Sequence, residues 1–145
     1  MTLPALLLIV TKVLFPGWGT DFDKARETAK QEHKYILLNF SGSDWCGPCI
    51  RMHEEIFGSQ AFKEVAGKDL VLMNADFPRL KKNQLPKDQQ EQNEHLADVY
   101  NTKGDFPLTV LLSADGKVIK QWVGFPGKGA GQFVSEIKAA CQAGN

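Results

Sequence analysis

Cysteine is scarce in this chain. Three thiols in 145 residues, Cys46, Cys49 and Cys141, are too few to staple a mini-fold, and a chain of this length buries a core without staples. An excess of one charge is also missing, since 17 Lys and Arg meet 17 Asp and Glu. A nucleic-acid binder would carry a basic surplus, and an acidic membrane would have no electrostatic hold on this surface. No internal repeat or low-complexity tract breaks the sequence, so its length reads as one domain.

Long apolar runs are lacking as well. The opening stretch MTLPALLLIVTKVLFPGW is apolar over residues 3–10, but Lys12 interrupts it. A bilayer span needs about 20 such residues. A positive leader region and a small-residue cleavage site are not evident, so three readings stand: a signal or its remnant, an ordered arm, or a membrane anchor. The signal reading places the protein outside the cytoplasm, in the periplasm; the alternative is a cytoplasmic protein. Membrane contact is expected only if this segment is an anchor.

What is present is a regular alternation of elements. Thr20 or Asp21 can cap a helix over DFDKARETAKQEHK, with Phe22, Ala25 and Ala29 on one face. YILLNF (35–40) and DLVLMNADF (69–77) read as buried strands. CIRMHEEIF (49–57) reads as helix, and Ser59 caps another that ends at Gly67. The polar segment 78–93 is expected to be an exposed loop leading into a helix over about 88–101, with Leu96, Val99 and Tyr100 facing inward. PLTVLLS, ADGK and VIKQWVG form a hairpin. A last helix carries Phe133, Ile137, Ala140 and Cys141 on one side. The fold class is therefore α/β, a central mixed sheet flanked by helices on both faces.

Between the first strand and its helix stands SDWCGPCIRM, residues 43–52. Two thiols this close can hold a metal, brace a loop or exchange electrons. A metal needs two more ligands; the candidates are Cys141, His33, His53 and His95, with no second C-x-x-C and no H-x3–5-H pair. As a brace, the pair closes so small a loop that little chain entropy is removed. Redox exchange suits the position. Unpaired amides of a first helical turn favour a thiolate at Cys46, Pro48 tolerates that turn, and Cys49 falls inside the helix. Cys46 is then the exposed, attacking sulfur and Cys49 the shielded, resolving one. Lowering a thiol pKa from about 8.5 to about 7 raises the thiolate fraction from roughly 3% to roughly 50% at neutral pH. Weaker nucleophilicity removes about fivefold of that gain. The larger benefits are a better leaving group and a second thiol held ready. Cys141, on an apolar helix face, reads as a core residue.

WCGPC between strand and helix resembles thioredoxin, and DFPLTVLL resembles the segment in which thioredoxin-fold proteins place a cis-proline, here Pro107. The resemblance covers roughly residues 20–143. FSGSDWCGPC, EEIFGSQAF and LMNADFP resemble the thioredoxin-like domains of bacterial thiol:disulfide interchange proteins. It divides the chain into an apolar segment over 1–17 and a thioredoxin-like domain over 18–145. It implies a monomeric thiol–disulfide oxidoreductase that reduces protein disulfides and is recharged by an upstream dithiol donor, without metal or cofactor. The Gly47–Pro48 pair points to the reducing end of the family; disulfide isomerase or oxidase, or a non-catalytic binding module, are the alternatives. Trp45, Gly47, Pro48, Phe106 and Pro107 would line the substrate groove, with the Phe106 backbone pairing an extended segment.

Several residues depart from that pattern. Asn39 stands where thioredoxin buries an aspartate behind the dithiol, and Leu72 where it has a lysine. Leu108 replaces a threonine after the proline, and no proline follows Cys49 to kink the helix. The proton of Cys49 then needs another acceptor, among Glu54, Glu55, Asp44, His53 or water. His53 lies two turns from Cys46, too far for direct contact with that sulfur.

Overall fold

A computed structural model describes residues 17–144. The apolar N-terminal segment therefore lies outside the described residues, apart from Gly17 at its end.

Helix α1 spans Phe22–Glu32, and the Asp21 side chain caps it by accepting the Lys24 N–H. Strand β1 follows at Tyr35–Ser41. The dithiol helix α2, Gly47–Arg51, runs on through a π-helical turn at Met52–Ile56, where the Phe57 N–H reaches the Met52 carbonyl. Ser59 caps α3, Gln60–Asp69, by accepting the Phe62 N–H. Strand β2 (Leu70–Asp76), a short 3-10 turn (Lys81–Asn83), α4 (Lys87–Tyr100), β3 (Leu108–Leu112), β4 (Val118–Val123) and α5 (Gly129–Ala143) complete the order.

The sheet order is β2-β1-β3-β4, with β1 and β2 parallel and the other neighbours antiparallel. Gly19 bridges Met73 beyond β2, exchanging hydrogen bonds with Leu72 and Asn74. Both faces of β1 are buried, which is why its sequence is an almost unbroken apolar run. Side chains alternate between the faces. Leu37 joins Leu72, Leu111, Phe62, Phe133 and Ile137 under α3 and α5. Ile36, Leu38 and Phe40 join Val110, Leu112, Ala25, Ala29 and Leu96 under α1 and α4. Asn39 shares the Leu37 face and is fully buried.

Four local expectations are corrected. α1 stops at Glu32, because His33 turns left-handed at φ 55° and its N–H returns to the Ala29 carbonyl. Gly67 does not end its helix, which continues to Asp69 and passes straight into β2. Val99 is 54% exposed, because it lies beside the inward stripe of Asn93, Leu96, Ala97 and Tyr100. The helix after the dithiol is not uniform, since one extra residue per turn is accommodated at 52–56.

Candidate active site

β1 delivers the chain to a turn, and the turn starts the dithiol helix. The Gly42 carbonyl accepts from both Trp45 N–H (3.3 Å) and Cys46 N–H (2.9 Å). Cys46 is the N-cap of α2, in extended conformation, and its sulfur accepts the Cys49 N–H at 3.3 Å. Pro48 sits in the first turn, where a missing N–H costs no helical bond. The two sulfurs are joined as a disulfide, with the Cα atoms 5.2 Å apart. Gly47 and Pro48 are exposed above them. Cys49 has no exposed surface and Cys46 retains 5%. The ranking expected from sequence holds, but in this oxidised form Cys46 is buried rather than exposed: its sulfur faces its partner and the helix amides.

Trp45 is fixed from four sides. Its indole N–H donates to the Phe77 carbonyl at 2.7 Å, and its ring meets that of Phe106 edge to face with the centroids 5.4 Å apart. The Arg79 guanidinium stacks over the indole at 3.7 Å, and Gly42 lies beneath, where any Cβ would strike the ring. The Phe106–Pro107 peptide is cis. Phe106 also meets the edge of Phe77 at 5.4 Å, while Pro107 is buried and its carbonyl accepts the Gly124 N–H at 2.8 Å. Trp45, Phe77, Pro78, Arg79, Gly104 and Phe106 line an open groove of about 630 Å³ beside the dithiol.

Two features of the site were not foreseen. The loop after β2 is tied to the dithiol loop by Asp44. Its carboxylate accepts the Arg79 N–H (2.9 Å), the Leu80 N–H (2.9 Å) and the Asn83 side-chain amide (3.1 Å). These bonds, the Arg79 amide foremost, hold the Asp44 carboxyl below its ordinary pKa. Asp76 ties the loop's other side by accepting the Ser43 N–H and hydroxyl. A carboxylate directly before WCGPC was the available signal, but its partners lie 35 residues or more away. The second feature lies behind the helix. His53 Nε2 is 3.1 Å from Asn39 Oδ1, and Asn39 Nδ2 donates to Thr109 Oγ1 at 3.0 Å. Trp18 and Phe57 pack on the imidazole at 5.3 and 5.0 Å. Burial lowers the His53 pKa, and the Asp76 carboxylate opposes that shift.

The other ligand candidates are dispersed. Cys141 lies in the α5 core, where burial pushes its thiol up to about 11. His33 ends α1 and His95 is exposed on α4. Among the described residues, no group of three or more His, Cys, Asp or Glu is gathered as metal ligands. No described helix is long and apolar enough to cross a membrane.

A helix-capping cysteine, its partner three positions on, and a cis-proline beside them on a mixed sheet define a thioredoxin-fold dithiol–disulfide protein. A family model described as a thioredoxin-like domain matches residues 22–139, and the chain belongs to that family. It is 40% identical over 119 residues to the disulfide bond reductase DsbH of Chlamydia pneumoniae, covering 82% of this chain and 69% of that protein. The solved structure of a DsbH oxidoreductase superposes with TM-score 0.79 at 38% identity, covering 89% of this chain and 86% of the other. A thioredoxin from Thermus thermophilus shares the fold at 16% identity (TM-score 0.67, 88% of each chain). The chain is a thiol–disulfide oxidoreductase.

Proposed function

We propose that this oxidoreductase runs as a reductase of protein disulfides, with Cys46 as attacking and Cys49 as resolving sulfur. The observation that carries the reading is the pairing at the start of α2: Cys46 caps the helix and accepts the Cys49 amide, while Cys49 is sealed. The amide that meets the sulfur in the disulfide also favours a thiolate there once it is reduced. The Gly47–Pro48 pair and the similarity to a protein named as a disulfide bond reductase support the reducing direction.

The groove between Trp45 and Phe106 receives an extended substrate segment. No hydrogen bond among the described residues uses the Phe106 backbone, which leaves it open to strand addition. Gly47 and Pro48 form the exposed floor beside Cys46, and buried Pro107 holds Phe106 in place. An upstream dithiol donor reduces the pair again, and the protein acts as a monomer outside the cytoplasm, in the periplasm. The similarity to a Dsb-type reductase and the apolar start of the sequence support that location.

Equilibration of the Cys46–Cys49 couple with glutathione tests the direction. A potential near the thioredoxin end, about −270 mV, is expected, and a value more oxidising than about −200 mV overturns the reductase assignment. Cys46→Ser is expected to abolish insulin reduction, whereas Cys49→Ser is expected to accumulate mixed disulfides with its partners. Turnover by Cys46→Ser would sink the assignment of the attacking sulfur.

A further inference from the structure

Cys49 must shed a proton before it can resolve a mixed disulfide, yet it is fully buried. The nearby acids are poorly placed to accept it. Glu54 and Glu55 are exposed on the helix run, and Asp44 is committed to the amides of the 79–83 loop. His53 follows Cys49 by four residues, which places the two on the same side of the helix run, with His53 just inside the π turn. It is half-buried between Trp18 and Phe57.

A hydrogen-bond chain fixes which ring nitrogen is free. A thioether can only accept, so the Thr109 hydroxyl donates to Met52 Sδ, 3.9 Å away. Its oxygen then accepts from Asn39 Nδ2, which turns Asn39 Oδ1 toward the imidazole. An amide oxygen cannot donate, so His53 Nε2 carries the hydrogen. The neutral ring therefore keeps its lone pair on Nδ1.

We propose that His53 is the proton acceptor for Cys49, with its tautomer set by the Met52–Thr109–Asn39 chain. This rests on Cys49 being the resolving thiol. His53 Nδ1 takes the proton from the Cys49 sulfur, and that sulfur attacks Cys46 in the mixed disulfide. The bond between Cys46 and the substrate sulfur breaks, and its electron pair leaves with the substrate as a thiolate. The dithiol is oxidised by two electrons to the Cys46–Cys49 disulfide, and one substrate disulfide is reduced. His53 returns its proton to solvent. Burial keeps the ring neutral and ready to accept, against the Asp76 carboxylate at the end of β2 and with Glu54 and Glu55 turned to solvent. A free thiol and a free imidazole differ by about two decades in acidity and burial of the ring widens that gap, so the proton moves as the sulfur attacks rather than ahead of it.

Reaction of the reduced protein with Ellman's reagent separates the steps. The first thionitrobenzoate is released when Cys46 attacks, and the second when Cys49 resolves. His53→Gln is expected to leave the first phase unchanged and to slow the second about tenfold to a hundredfold at neutral pH. That second phase should become proportional to hydroxide, whereas in the parent it levels off above the His53 titration. Adding Asn39→Asp to His53→Gln, which offers a buried carboxylate in the same place, should recover the second phase. Equal second phases with the same pH profile overturn the proposal. Absence of the first phase in the parent protein would instead sink the reading of Cys46 as the attacking sulfur. Should the variant fold poorly, histidine nitrogen NMR of the parent decides: Nε2–H with bare Nδ1 is required, and the opposite tautomer overturns it.

Discussion

Cys141 shows how one element type serves two purposes in the same chain. Cys46 meets a helix amide and is paired with Cys49, whereas Cys141 is buried in the apolar core that also holds Phe133, Ile137 and Leu111. Burial pushes the Cys141 thiol up to about 11, with Asp69 adding to the shift. The consequence for stability has a definite sign. A thiol of raised folded pKa favours the fold fully below its unfolded value, about 8.5, and that contribution is lost as pH rises toward 11. Denaturant unfolding should show roughly 2 kcal/mol less stability near pH 10 than near pH 8 from this group. Cys141→Ala should shrink that alkaline loss without removing it, because the Tyr35 phenol, bonded to the Cys141 carbonyl, is raised by burial as well. An unchanged alkaline limb would contradict the assignment. The same residue should resist alkylation at neutral pH while reduced Cys46 reacts.

At the scale of elements, Asp44 ties the start of the loop from Pro78 to Pro86 to the dithiol turn, while Gln84 bonds within the loop. Asp44 satisfies two loop amides and Asn83, and this brings Arg79 over Trp45. Asp44→Ala should speed hydrogen exchange at the Arg79 and Leu80 amides by about an order of magnitude. Because the Arg79 amide above all holds the Asp44 carboxyl below its ordinary value, protection should persist as pH falls through the usual carboxylate range. Loss of protection near pH 4 in the parent protein would show that the carboxyl is not held below its ordinary value, whereas unchanged exchange in Asp44→Ala would show that the carboxylate is not the latch. The groove wall would then need another explanation.

Across the whole molecule, legibility followed the physics of each signal. Apolar runs exposed β1 and β2, and the periodicity of Phe133, Ile137 and Cys141 exposed α5, because both are local consequences of burial. The dithiol was legible because Cys46, Pro48 and Cys49 sit within one turn. Val99 misled because an apolar side chain at the margin of a helical stripe can face water. The π turn left no sequence mark, since none of Met52 to Ile56 is disfavoured in an ordinary helix. Asn39 stood out only by departing from its family, and His53 was one of several acceptors offered for the Cys49 proton, with nothing in the sequence to favour it. The sheet brings it onto Asn39, a meeting between residues 14 positions apart that periodicity does not encode.

The three tryptophans fall in separate surroundings: Trp18 against the His53 imidazole, Trp45 beside the dithiol, and Trp122 bonded to Glu136 between β4 and α5. Protonated imidazole and disulfides both quench indole emission, so the molecule carries its own optical instruments. Fluorescence from Trp18 reports the charge on the ring behind the helix, and Trp45 reports the oxidation state in front of it. Trp122 supplies the steady background against which the two can be read.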